Sequence, residues 1–191
     1  MDLTTARGLA LIDRQIGLSP LPPAEYEIAR KVILATGDFD YRSLIGFSPR
    51  AIVSGAAALA ARSPIVVDVE MVKVGILPFL QETFVNPVYC CWDDIPDQDI
   101  RSLIRRYPEG IFAIGESLPA LTTLIEAIES GDCQPALAIV TPAGWIEAKM
   151  AKERVKDSGV SYISIEGGKG SAAVAVAIVN ALAELAWQIH R

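Results

Sequence analysis

The stretch Ile65-Val-Val-Asp68-Val-Glu70-Met-Val-Lys73-Val-Gly75 decides the fold class. Its β-branched run, Ile65–Val69, is interrupted by one aspartate and shows no regular polar alternation. A strand that is apolar on both faces needs cover on both faces, which is the setting of a parallel sheet between helices. Val88–Trp92, Ile111–Ile114, Leu137–Val140 and Tyr162–Ile165 read the same way. Helical patterns lie between and after them, near 97–107, 117–130, 143–157 and 171–189, and two more, 24–36 and 49–61, precede the first strand. This alternation predicts an α/β fold: a single three-layer domain over 1–191, with a mainly parallel sheet and extra N-terminal helices wrapped around it.

Local signals place several boundaries. Pro22-Pro23 precede the first long helix, and Ser48-Pro49 reads as a cap followed by a proline at the first helical position. Gly37 and Gly131 follow helical patterns as C-terminal caps do. Gly75 falls in a short element after the first strand. Helix 49–61 has almost no polar face, so it reads either as a central core helix or as a subunit interface. Ala172–Trp187 is nearly all apolar, yet Asn180, Glu184 and Gln188 recur every four residues in one stripe. That pattern favours a buried helix of a soluble protein, and no membrane partner is expected.

The net charge of −6 and the absence of a basic run exclude nucleic acid as an expected partner. An anionic ligand would have to meet local positive features such as helix N-termini. The three cysteines form no CxxC pair, which predicts reduced thiols in a cytoplasmic protein. The only histidine is His190, beside the C-terminus. It rules out machinery built on an internal histidine and makes a protein-built metal site improbable. Asp93-Asp94 reads either as a cation holder or as part of a solvated acidic loop with Asp97 and Asp99.

Three places hold candidate chemistry. On a helical wheel of 24–36, Tyr26, Ile28, Ala29, Val32, Ile33 and Ala35 share one half, while Glu27, Arg30, Lys31 and Leu34 share the other. Leu34 is therefore either an isolated exposed leucine or a residue facing a cleft or a partner. The turn Gly167-Gly168-Lys169-Gly170-Ser171 joins the last strand to the last helix, where backbone N–H groups hold anions. It lacks the Walker and GxGxxG orders, so a purely structural turn stays open. Asp68 stands at a strand's C-terminal end, where open α/β sheets bind ligands, or else caps the next helix. Asp38, Asp40 and Tyr41 are ambiguous in the same way.

Taken in order, Ala35-Thr-Gly-Asp-Phe, Phe47-Ser-Pro, Pro64 through Gly75, Ala113-Ile-Gly115, Pro142-Ala-Gly144-Trp145 and Gly170-Ser171-Ala172 resemble the precorrin-8X methylmutase family over most of the chain. The resemblance implies a homodimeric α/β isomerase of cobalamin biosynthesis. Such an enzyme moves a methyl group from C11 to C12 of a tetrapyrrole to give a hydrogenobyrinate-type corrin, without a cofactor. It implies a catalytic position at Leu34, where the family has a histidine, with Lys31 as the possible substitute. It also implies a substrate-binding set: Arg7, Asp38, Asp68, Met71, Lys73, Gly75, Arg101, Gly144, Gly168, Lys169, Gly170 and Ser171. Further departures are Gly8, where the family usually has a serine, and Lys169, where glycine is typical. Three readings follow: an active isomerase, a catalytically impaired paralogue that binds or delivers a corrinoid, or an assembly subunit with a vestigial cleft.

Overall fold

The computed structural model describes residues 3–91, 95 and 97–190. Trp92, at the end of one expected strand, and Asp93-Asp94 lie outside the described residues. The chain begins with three helices, α1 (Leu3–Ile16), α2 (Pro23–Thr36) and the short α3 (Tyr41–Leu44). Then come β1 (Ile45–Phe47), α4 (Ala51–Ala60), β2 (Ile65–Val67), α5 (Glu70–Gln81) and β3 (Val88–Cys90). It continues with α6 (Ile100–Arg106), β4 (Ile111–Ile114), α7 (Leu118–Ser130), β5 (Leu137–Val140), α8 (Glu147–Asp157), β6 (Tyr162–Ile165) and α9 (Ala172–His190). The six strands form one sheet in the order β1-β6-β5-β4-β2-β3. Among the described residues only β1 is antiparallel; it pairs with β6, Ile45 opposite Ile165. The rest are parallel.

Strand alternation divides the core into two layers. Ile65, Val67, Ile111, Ala113, Leu137 and Ile139 face α2, α4, α5 and α9. Val66, Phe112, Ile114, Ala138 and Val140 face α6, α7 and α8. Each fully buried Ile or Val in such a layer contributes roughly 1.5–3 kcal/mol relative to exposure. The three-layer α/β expectation holds, as do the glycine caps at Gly37 and Gly131, both left-handed.

Several local expectations change. The first strand is β1, which three residues were too few to announce. Strand β2 ends at Val67, and α8 starts at Glu147 rather than near 143. Gly75 lies inside a twelve-residue helix, not a short element. There an added Cβ would sit 2.6 Å from Val176, so glycine is what lets α5 and α9 pack closely. The Ser48 hydroxyl does not cap α4; it accepts the Tyr162 N–H at 2.9 Å. Helix α4 is not enclosed on every side, since Val53 is 69% exposed. Helix α9 is long and apolar enough to cross a membrane, but half of its apolar window is buried in the protein as the central helix of the first layer.

Candidate functional site

Helix α2 lies between α1 and α9. Toward α1, Asp13 accepts from the Tyr26 hydroxyl at 2.7 Å and from Arg30 at 2.8 Å. Toward α9, Lys31 donates to Glu184 at 2.8 Å. Leu34 stands between these contacts, half-buried against the edge of the core rather than free of it, while Ala35 is exposed. It lines two cavities. One, of about 250 Å³, lies toward α1 and is formed with Gly8, Ile12, Ile33 and Phe39. The other, of about 230 Å³, lies toward α9 and is formed with Lys31, Ala173, Val176 and Asn180. Position 34 therefore faces clefts, and the second cleft leads to the first turn of α9.

Gly8 explains how a leucine fits here. A Cβ added at Gly8 would lie 2.7 Å from the Leu34 Cδ1. Gly8 and Leu34 are thus neighbours, and the missing side chain at position 8 leaves room for the leucine. Gly8→Ala is expected to change stability by less than about 1 kcal/mol, because the clash falls on the movable end of Leu34 while alanine favours helix α1. The same change made with Leu34→Ala should stabilise by about 1 kcal/mol, and a double-mutant cycle of thermal melts reads the difference. Additive values would show that the two positions do not press on each other. Arg7 is exposed one residue away.

The glycine-rich turn lies at the C-terminal end of β6. It is tied on several sides. Gly144 N–H donates to the Gly168 carbonyl at 2.9 Å. Thr141 donates its hydroxyl proton to the Ser171 carbonyl at 2.9 Å. Lys169 bridges Asp38 and Asp40, both at 2.6 Å, and so fastens the turn to the end of α2. Those carboxylates hold the Lys169 ammonium well above the usual lysine range, and Lys169 and the Asp40 N–H hold Asp38 below the usual carboxylate range. At Gly170, with φ +143°, a Cβ would lie 2.0 Å from the Thr141 carbonyl oxygen, so only glycine fits. The Ser171 hydroxyl accepts the Val174 N–H at 3.3 Å and caps α9. Among the described residues, no protein group takes the N–H of Ala172 or Ala173.

The expected binding set therefore divides. Leu34, Lys31, Asp38, Gly168, Lys169, Gly170 and Ser171 come together along α2, the turn and the start of α9. Lys169 meets aspartates rather than standing free, and Gly144 gives its N–H to Gly168 rather than to an anion. Asp68 does not cap α5, and it lines a cavity of about 250 Å³ with Arg101 and Ser117. It is 6% exposed and accepts three N–H groups, from Gly115, Glu116 and Ser117, at 2.8, 2.7 and 2.6 Å. Met71 and Lys73 sit on the first turn of α5, Met71 exposed and Lys73 beside Glu70 at 3.4 Å. Arg101 belongs to the opposite helical layer, on α6 near Glu126. It lines a cavity of about 570 Å³ with Arg105, Glu126 and Asp132, away from Leu34.

Sequence reasoning missed Lys152. On α8 the buried positions are Ala148, Ala151, Lys152 and Val155, so the lysine occupies the core stripe, and that spacing was the signal. Its amine donates to the carbonyls of Gly167 and Lys169 at 2.8 and 3.1 Å.

A family model of precorrin-8X methylmutases matches residues 5–185. The chain belongs to the precorrin-8X methylmutase family. It is 39% identical to a cobalt-precorrin-8 methylmutase of Synechocystis sp., over 94% of this chain and 93% of that protein. It is 34% identical to a precorrin-8X methylmutase of Pseudomonas aeruginosa, over 93% of this chain and 92% of the relative. The crystal structure of a Thermus thermophilus precorrin-8X methylmutase superposes with a TM-score of 0.89 at 28% identity, covering 97% of this chain and 98% of the other. The family's α/β architecture is thus present over nearly the whole chain.

Proposed function

We propose that this protein is an isomerase of the precorrin-8X methylmutase type, acting in the cytoplasm in cobalamin biosynthesis. The substrate is a tetrapyrrole bearing acetate and propionate groups, and the reaction breaks the C11–methyl bond and forms the C12–methyl bond within one molecule. Nothing enters or leaves, so the protein's levers are positioning and protonation of the ring system. The observation that carries this reading is that Leu34 and Ala173 line one groove. The position assigned to acid–base help and the open N–H end of a nineteen-residue helix then face the same ligand. Leucine cannot move a proton. Lys31, paired with Glu184 in the same groove, is the donor we assign to the ring. The carrier reading finds no support in the comparisons, since the relatives reported above bear methylmutase names.

The active unit in this proposal is a homodimer. Ligand-enclosing pockets usually hold roughly 300–1,000 Å³, and neither cleft at Leu34 reaches that size. Met71 and Val74, 60% and 63% exposed one turn apart on α5, offer an apolar surface beside α9 for a second copy. Sedimentation should give about twice the 20.5 kDa of one chain, and a mass of one chain would contradict the dimer. The ligand class is tested by titrating the purified protein with hydrogenobyrinate and following the corrin absorption bands. A shift that saturates in the micromolar range supports the assignment, and no shift at high micromolar ligand overturns it.

A further inference from the structure

Lys152 is 2% exposed, and its ammonium reaches the carbonyls of Gly167 and Lys169, on either side of Gly168. The Gly168 carbonyl is held separately by Gly144. In a trans peptide the N–H of the following residue points opposite to the carbonyl. Drawing the Gly167 and Lys169 carbonyls toward α8 therefore aims the N–H groups of Gly168 and Gly170 away from α8, where the Tyr41 hydroxyl meets that of Gly170 and leaves that of Gly168 for a ligand. The turn also keeps a positive charge directly beneath it. We propose that Lys152 is a positioning residue for ligand recognition: it fixes the turn so that the Gly168 N–H meets a carboxylate of the substrate, and it strengthens that contact with its buried charge. This rests on the tetrapyrrole reading above and specifies which part of the ligand the turn receives.

The surroundings make that charge adjustable. Lys152 borders a cavity of about 340 Å³ lined by Lys149, Glu153 and Lys156 of α8, by Glu166 after β6, and by Leu44 and Ile165. Lys156 is neutralised by Glu166 at 2.5 Å, Lys149 lies 4.0 Å from Glu153, and Lys169 in the turn is occupied by Asp38 and Asp40. Burial, and then the Lys156 charge, lower the Lys152 amine to about 8. Below that pH the amine is charged and attracts an anion; above it the attraction is lost. An anion on the turn favours the charged form, so ligand affinity falls as pH rises through this window.

The test is a hydrogenobyrinate titration of the full-length wild-type protein between pH 7 and 9.5, where the ligand's carboxylates are already ionised. Affinity is expected to weaken about tenfold across this range, a typical size for coupling between two sites. Lys152→Met should bind about tenfold more weakly at pH 7 and show a flat profile. Lys152→Arg keeps a charge that does not titrate, so it should retain the pH 7 affinity and lose little at pH 9.5. If Lys152→Met fails to fold, the wild-type profile still decides: tight binding that does not change with pH overturns the role of Lys152 while leaving the tetrapyrrole assignment intact. Identical profiles for wild type and Lys152→Met overturn it as well. Absence of binding at every pH overturns both readings.

Discussion

Replacing Leu34 by histidine is expected to raise the rate of methyl migration by about 10²-fold or more, the lower end of what a positioned acid–base group contributes. The reason is local. Position 34 lies in the groove that runs to the first turn of α9, half-buried beside Lys31. An imidazole there would titrate near neutral pH and reach a ring nitrogen or carbon that the leucine can only touch. Space is available because Gly8 leaves room on the α1 side. The gain should fall in kcat with KM little changed, since the substitution adds an interaction needed at the transition state. In the same account Lys31→Met lowers the residual wild-type rate, because Lys31 is the proton donor left in the groove. If wild type already turns over as fast as the histidine variant, position 34 has only a packing role in this chain.

Asp68→Ala is the largest stability effect expected. The carboxylate accepts three backbone N–H groups that belong to the turn between β4 and α7. Each charge-assisted bond is worth about 1.5–3 kcal/mol, and removing the acceptor leaves buried donors unpaired. Allowing for relaxation, a loss of about 3–5 kcal/mol follows, or a fall in Tm of about 10 °C for a chain of this size. Asp68→Asn should lie in between. One amide oxygen can serve the Glu116 and Ser117 pair, but the NH₂ group then opposes the Gly115 N–H. A loss below about 1 kcal/mol for the alanine variant, measured by denaturant titration, would show that water takes the aspartate's place. The result separates Asp68 from the ligand groove: its first effect is on folding, and any effect on turnover follows from that.

The sheet was legible because burial on both faces leaves its strands as continuous apolar runs; the centres of all four strands from β2 to β5, and of β6, fall where those runs lie. Strand β1 was not, because Ile45-Gly-Phe47 is too short to show a period and owes its form to pairing with β6. Helix α5 was hidden by Gly75 and Pro78, two residues that oppose helix by propensity. Burial of Val72, Ile76 and Leu80 along one face outweighs them. In the site, Leu34 was legible as a cleft residue from its place on the wheel, but its contact with Gly8 joins residues 26 apart and needs the fold to be seen. Asp68 and Lys169 were legible as important and not as occupied, since spacing reveals a charge's position and never its partner. Lys152 carried its own signal, a cation on a core stripe, which looks like an interruption until the carbonyls it serves are in view.

The most direct test of the central claim is conversion itself. Precorrin-8X labelled with ¹³C in the methyl group at C11 is incubated with the purified wild-type protein, and the label is followed by NMR. The ¹³C signal is expected to move to the C12 position in the presence of the protein, slowly in wild type and faster in Leu34→His. A label that stays at C11 with both proteins, under conditions where the corrin product is bound, would contradict it.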